Sequence, residues 1–212
     1  MYHVMFDVDD TLIQSSQFDE SCFVKAVKSV TGLDLYQSWS DYPHATDRGI
    51  LRTFIEIQAP DEELVDLERR VKAVFIQNIR ERLSNRPALE VSGAKAFFHR
   101  LLGDDRFIVS LATGGWRETA RMKLISAGFN INDVSMASSD DHYSRARIME
   151  LARERAGDTD LQLTYFGDAE WDVRTCQELG VNLVIVGNKV SHCQTIHDYH
   201  SDDQALYYIT NR

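Results

Sequence analysis

Five short runs of apolar and β-branched residues punctuate the chain, and each stops at a cluster of turn-forming or acidic residues. Tyr2–Phe6 ends in aspartates, Phe107–Ala112 in Thr-Gly-Gly, Val134–Ala137 in Ser-Ser-Asp, Leu161–Phe166 in Gly-Asp and Leu183–Val186 in Gly-Asn. A strand with one wet face alternates apolar and polar residues. These runs are nearly continuous instead, the mark of strands covered on both faces, as in a parallel sheet flanked by helices. Amphipathic stretches of helix length lie between them, at Ser92–Leu102, Trp116–Ala127, Ser144–Ala156 and Ala169–Leu179. Strands alternating with helices predict a doubly wound, Rossmann-like α/β core.

Residues 15–87 break that rhythm. They read as helical throughout, most clearly at Ser21–Val30, Asp47–Ile57 and Asp61–Leu83, and no strand pattern interrupts them. Pro60-Asp61-Glu62-Glu63 is a strong helix start, with acid in the first turn. The simplest organisation is a core of residues 1–14 and 88–212 with a helical cap domain, 15–87, inserted after the first strand. Its hinges are expected near Ile13–Gln17 and Ser84–Glu90. The tail beyond Val190 is polar apart from Ala205–Ile209, a patch to which the sequence assigns no role.

A chain of 212 residues, 43% hydrophobic and 26% charged, can bury a sizeable core without a structural metal or disulfide. Cys22, Cys176 and Cys193 are odd in number and fit no zinc spacing, so reduced thiols are expected. The N-terminal MYHVMFDVDDTL carries no secretory pattern, and no apolar run reaches membrane-spanning length. A soluble, cytoplasmic protein with no membrane partner is the expectation. A formal charge of −10 argues against a nucleic-acid partner, whose binding surface is usually basic.

Three loops carry candidate chemistry. The first run leads into Asp7-Val8-Asp9-Asp10-Thr11, and three carboxylates within four positions are costly to hold together without a cation. At the end of a strand, Asp7 and Asp9 can converge while Val8 faces away. Thr113-Gly114-Gly115 offers a hydroxyl and unobstructed backbone N–H groups ahead of a helix, an anion site in the making. Gly167-Asp168 is followed four residues on by Asp172, a spacing that puts both carboxylates on one side of a first helical turn. Each signal alone has a plain alternative: a solvated acidic turn, an N-cap, acid at a helix start. All three fall at the carboxyl ends of strands, where open α/β sheets bind ligands. A fourth, cationic group is needed to neutralise a phosphoryl in transfer; Arg145 is the first candidate and Arg147 the second.

These residues resemble the haloacid dehalogenase superfamily, in its phosphatase branch with a helical cap. Its DxDxT motif corresponds to Asp7–Thr11, its second motif to Thr113 and its GDxxxD motif to Gly167, Asp168 and Asp172; the usual lysine is replaced, with Arg145 in its place. The resemblance implies a Mg²⁺-dependent phosphatase acting on a small phosphorylated metabolite. Asp7 would be the nucleophile and Asp9 the general acid and base. The metal would lie among Asp7, Asp9 (through its backbone carbonyl) and Asp168, with Asp172 ordering the metal's waters or the loop. Thr113, Gly114 and Arg145 would bind the phosphoryl oxygens. An acid at position 9 separates phosphate chemistry from dehalogenases and phosphonate-cleaving relatives. A phosphoryl-transferring mutase and a non-catalytic binding module are the alternatives. The stretch Tyr42–Ile50 looks like the substrate-facing loop of phosphoglycolate-phosphatase-like relatives, which makes His44 and Arg48 candidate substrate contacts, with Arg52 one turn on. Trp116 and Arg117 are candidates for the pocket entrance.

Overall fold

The structure, a computed structural model, describes residues 1–35, 38–60, 63–157, 160–200 and 202–211. Six parallel strands form one sheet in the order β3-β2-β1-β4-β5-β6. They are β1 (Tyr2–Phe6), β2 (Phe107–Ala112), β3 (Ser135–Ala137), β4 (Gln162–Gly167), β5 (Asn182–Val186) and β6 (Thr195–Ile196). β1 lies in the middle, paired with β2 on one side (Phe6 beside Leu111) and β4 on the other (Phe6 beside Phe166).

The strand period of two sorts these residues onto two buried faces. Val4, Phe6, Val109, Leu111, Phe166, Val184 and Val186 share one cluster with α4 (Ala94–Leu102), α5 (Arg117–Ser126) and α8 (Asp202–Thr210). Met5, Ala112, Leu163, Tyr165, Leu183 and Ile185 share the other with α6 (Arg145–Arg155) and α7 (Glu170–Leu179). Both faces are covered, as the unbroken apolar runs require.

The remaining helices have a core of their own. In α3 (Leu64–Asn85), Leu67, Val71, Phe75 and Ile79 recur every four residues and make a single buried stripe. It packs on Phe23, Ala26 and Val27 of α1 (Ser16–Thr31) and on Ile50, Leu51 and Phe54 of α2 (Asp47–Gln58). The sequence places the start of α3 at Asp61, but Asp61 and Glu62 lie outside the described residues. Glu63 is the N-cap, its carboxylate accepting from the N–H groups of Val65 and Asp66. The chain leaves and re-enters the sheet layer along adjacent paths, with Gln14 N–H donating to Leu89 O and Val91 N–H to Leu12 O.

The tail is structural. β6 extends the sheet in parallel beside β5, and α8 folds back so that Ala205 and Ile209 join the core around β1. Tyr208 O accepts from Asn182 Nδ2, and Thr210 O from the Tyr2 hydroxyl. The fully buried Ile209 should therefore cost about 2–5 kcal/mol when cut to alanine. Leu102→Ala, at a largely exposed side chain, should stay within about 0.5 kcal/mol. Denaturant unfolding measures both, and equal, small losses would mean that the tail does not belong to the core.

Candidate active site

The carboxyl ends of β1, β2 and β4 converge on one cavity of about 150 Å³, whose lining includes Asp7, Asp9, Thr113, Gly114, Arg145 and Asp168. The loop after β1 is wound tightly. Val8 O accepts from both Leu12 and Ile13, and Asp10 sits at φ +51°, a left-handed conformation that aspartate tolerates better than most residues. Asp10 is thereby aimed at the start of α1, where its Oδ1 accepts from the N–H groups of Ser15 and Ser16. It is a helix cap, and the turn it stabilises leaves Asp7 and Asp9 facing the cavity.

Asp7 is 4% exposed. Its Oδ2 lies 3.3 Å from Arg145 Nη1, whereas its Oδ1 is buried with no hydrogen-bond partner. Asp172, fully buried, lies 3.3 Å from the same guanidinium nitrogen, and its Oδ2 accepts from the N–H groups of Asp168 and Ala169. That carboxylate shapes the loop after β4, and it leaves no room beside residue 167, where a Cβ would come within 2.6 Å of it. Asp7, Asp168 and Asp172 each offer an oxygen within 4.8 Å of the others.

Bringing these acids together out of water has an electrostatic cost. Burial raises Asp7 well above the ordinary carboxylate range; Arg145 opposes the shift, and Asp172, Asp168 and Asp9 add to it. Burial, then Asp172, lifts Asp168 to about 7 against the pull of Lys189. An orphaned buried oxygen and three converging carboxylates fit a hard, oxygen-seeking cation.

Thr113 Oγ1 accepts from Gly115 N–H at 3.1 Å. Gly114 is required sterically, since a Cβ there would lie 2.5 Å from Arg145 Nη2. Of the two arginines offered by the sequence, Arg145 occupies the site, while Arg147 is on the surface in ion pairs with Glu150 and Glu154. Asp9 is held at its Oδ1 by Ser15 Oγ and by Lys123 Nζ. Its Oδ2 flanks Gly115, 3.7 Å from where a Cβ would stand. The Asp9 side chain is outside the three-carboxylate cluster.

The expected substrate contacts lie beside the cavity rather than on its lining. His44 and Arg48 do not line the cavity. The His44 ring packs edge-on against Tyr143, and Arg48 Nε is tied to Glu68 at 2.9 Å. Arg52 stacks over Tyr143 at 4.2 Å. Trp116 and Arg117 are also away from the entrance. Trp116 is fully buried under the α1–α3 layer against Phe23 and Phe75, and Arg117 pairs with Asp141.

Other residues take those places, unforeseen in the sequence. Lys189 bridges Asp10 and Asp168 at 2.5 and 2.6 Å. Lys123, completely buried, joins Asp9 to Asp19 of α1, 2.5 Å from each. Asp47, noted in the sequence only as the start of a helix, reaches across from α2: its N–H donates to Gly114 O and its Oδ2 accepts from Trp116 N–H. Lys123 lay within reach of pattern reading, because it shares the inward stripe of α5 with Thr119, Ala120 and Leu124. A charge on a buried stripe needs a partner.

The sequence profile of the haloacid dehalogenase-like hydrolases matches residues 1–180. The chain belongs to that family. No protein of curated function matches it in sequence. Among solved structures, a hydrolase from Pseudomonas syringae superposes with a TM-score of 0.75 at 18% identity, covering 96% of this chain and 99% of that one. CbbY from Rhodobacter sphaeroides, solved with phosphate, gives 0.71 at 14%, with 95% and 96% covered. The β-phosphoglucomutase of Clostridium difficile gives 0.72 at 13%, with 98% and 99% covered. At these identities the likeness establishes the shared fold of the haloacid dehalogenase-like hydrolases. No helix among the described residues is long and apolar enough to cross a membrane.

Lys123→Met would strand Asp9 and Asp19 without their shared cation. Removing one partner of a buried charge cluster costs about 3 kcal/mol or more, so the substitution should lower unfolding stability by that amount. Asp19→Asn in the same background should restore part of it. A loss below about 0.5 kcal/mol, the range of ordinary surface changes, would contradict the pairing.

Proposed function

We propose that this chain is a Mg²⁺-dependent phosphatase that hydrolyses the phosphate monoester of a small metabolite. The observation that carries this reading is Asp7, a buried carboxylate with one oxygen unpaired, in a cavity that also presents Thr113 and Arg145. Asp7 would attack phosphorus and form an aspartyl-phosphate, dividing one slow hydrolysis into two faster steps. Arg145 and Thr113 would hold the phosphoryl oxygens, with Gly114 keeping that cradle open. Asp9 would protonate the departing oxygen and then take a proton from the water that cleaves the intermediate. Mg²⁺ held by Asp7, Asp168 and the backbone carbonyl of Asp9 would neutralise phosphoryl charge, with Asp172 ordering the loop.

In this reading α1–α3 act as a cap, residues 15–87, that closes over the core and excludes water. Asp47, Thr46 and Arg48 already hydrogen-bond to Gly114, Tyr143 and Ser139 of the core, which gives that closure a defined register. Hydrolysis is favoured over a mutase reaction by the charge of the cap side. The cations that line the cavity, Arg145 and Lys189, both belong to the core and to the phosphoryl end, so a second phosphate has no counter-charge there.

Asp7→Asn should abolish Mg²⁺-dependent phosphate release from p-nitrophenyl phosphate while leaving thermal unfolding cooperative. Asp9→Asn should slow hydrolysis of an alkyl phosphate by about 10²–10⁴-fold and that of p-nitrophenyl phosphate far less, because p-nitrophenolate leaves without a proton. Equal losses on the two esters would remove Asp9 from the role of acid.

Metal binding should depend on pH. Asp168, lifted to about 7, holds a proton below that pH, and a cation must displace it. Mg²⁺ affinity measured by calorimetry should therefore rise with pH through about 7. Below 7 it should fall about tenfold per unit for each proton displaced. An affinity flat from pH 6 to 8 would contradict the assignment.

A further inference from the structure

We propose that the ester this site favours has a leaving group bearing a cationic amine, a small amino-alcohol phosphate, read by Asp47 and Glu20. The inference rests on the phosphatase reading above and specifies the substrate class for the same cavity.

The cavity is electrically lopsided. At the phosphoryl end, Asp7 faces Arg145, and Asp10 and Asp168 share Lys189. At the other end, Asp9, Asp19, Glu20 and Asp47 contribute four carboxylates, and the one ammonium among them is that of Lys123. It is spent on Asp9 and Asp19. Glu20 and Asp47 form no ion pair among the described residues.

Asp47 is the most buried of the cavity's acids on the helical side. It is 8% exposed, yet only its Oδ2 has a hydrogen-bond partner among the described residues, the N–H of Trp116. Its position matches the leaving group. The Asp47 and Asp9 carboxylates flank Gly115 together, with Oδ2 atoms 3.8 and 3.7 Å from where a Cβ would stand. Whatever departs toward Asp9 as its acid passes beside Asp47. Burial and the nearby Asp19 charge push the Asp47 carboxyl well above the ordinary range, a condition that a bound cation relieves.

The walls suit an ammonium group. Phe23 and Trp39 from the helical layer line the cavity, whereas the Trp171 ring lies under the Arg145 guanidinium at the phosphoryl end. Aromatic faces attract cations, more strongly when water is excluded. A carboxylate or second phosphate on the leaving group would meet Glu20 and Asp47 with no cation to receive it, now that His44 and Arg48 are placed elsewhere.

Three esters of nearly equal length isolate the charge: phosphoethanolamine, 2-hydroxyethyl phosphate and 2-phosphoglycolate. With Mg²⁺ present, kcat/KM should fall in that order, by at least a hundredfold from first to last, and the gap should narrow as salt is raised. Asp47→Asn and Glu20→Gln should each shrink the ratio of first to last at least fivefold. Glu20 is only partly buried and carries the test if Asp47→Asn does not fold. Turnover of 2-phosphoglycolate equal to that of phosphoethanolamine, or a ratio that neither substitution moves, overturns the proposal while p-nitrophenyl phosphate is still hydrolysed. Loss of that control reaction as well would overturn the phosphatase reading itself, and this proposal with it.

Discussion

The repulsion among Asp7, Asp168 and Asp172 is the constraint around which the rest of the molecule is arranged. Three carboxylates within 4.8 Å and out of water cannot all stay ionised unless positive charge is supplied. The chain supplies part of it through Arg145, whose guanidinium stands between Asp7 and Asp172, and part through Lys189 beside Asp168. The unpaired Oδ1 of Asp7 marks what is still missing. Burial raises the affinity of such a cluster for a cation and for protons alike.

The sheet makes this cluster possible without a long-range search. Parallel strands place every carboxyl end at one edge, and β1 lies between β2 and β4, so the Asp7 loop is flanked by the Thr113 loop on one side and the Asp168 loop on the other. The helical layer is then tied down by polar groups rather than by the sheet. Asp47 bonds to the Thr113 loop, Lys123 reaches Asp19, and Trp116 inserts from α5 into the core of α1–α3. The same contacts that hold the layer in register bring acidic and aromatic groups over the cavity. In the proposed function, closure and substrate selection share residues.

Much of this was legible in the sequence. Unbroken apolar runs ending in Asp-x-Asp, Thr-Gly-Gly and Gly-Asp marked the strands and the three loops, while their order in the sheet is seen only in the fold. Arg145 was separable from Arg147 only in three dimensions, since both stand on one helix and differ in which face of α6 is buried. The tail escaped because β6 has two residues and α8 nine, both too short to show a period. His44 and Arg48 have partners that the sequence does not name. Their polarity in a loop is equally served by Tyr143 and Glu68, and a sequence does not say which partner a charge will find. Lys189 follows a Gly-Asn turn, where no local pattern sets it apart from a solvated lysine; Asp10 and Asp168 are the partners that do.

The central claim is that Asp7 accepts the phosphoryl group, and covalent trapping tests it most directly. Borohydride reduces an aspartyl-phosphate, and not a free aspartate, to homoserine. Enzyme quenched into borohydride during turnover of a phosphate ester should yield homoserine at position 7 when its peptides are sequenced by mass spectrometry, and nowhere else. Steady turnover with position 7 left as aspartate, or homoserine at another acid, would contradict the account.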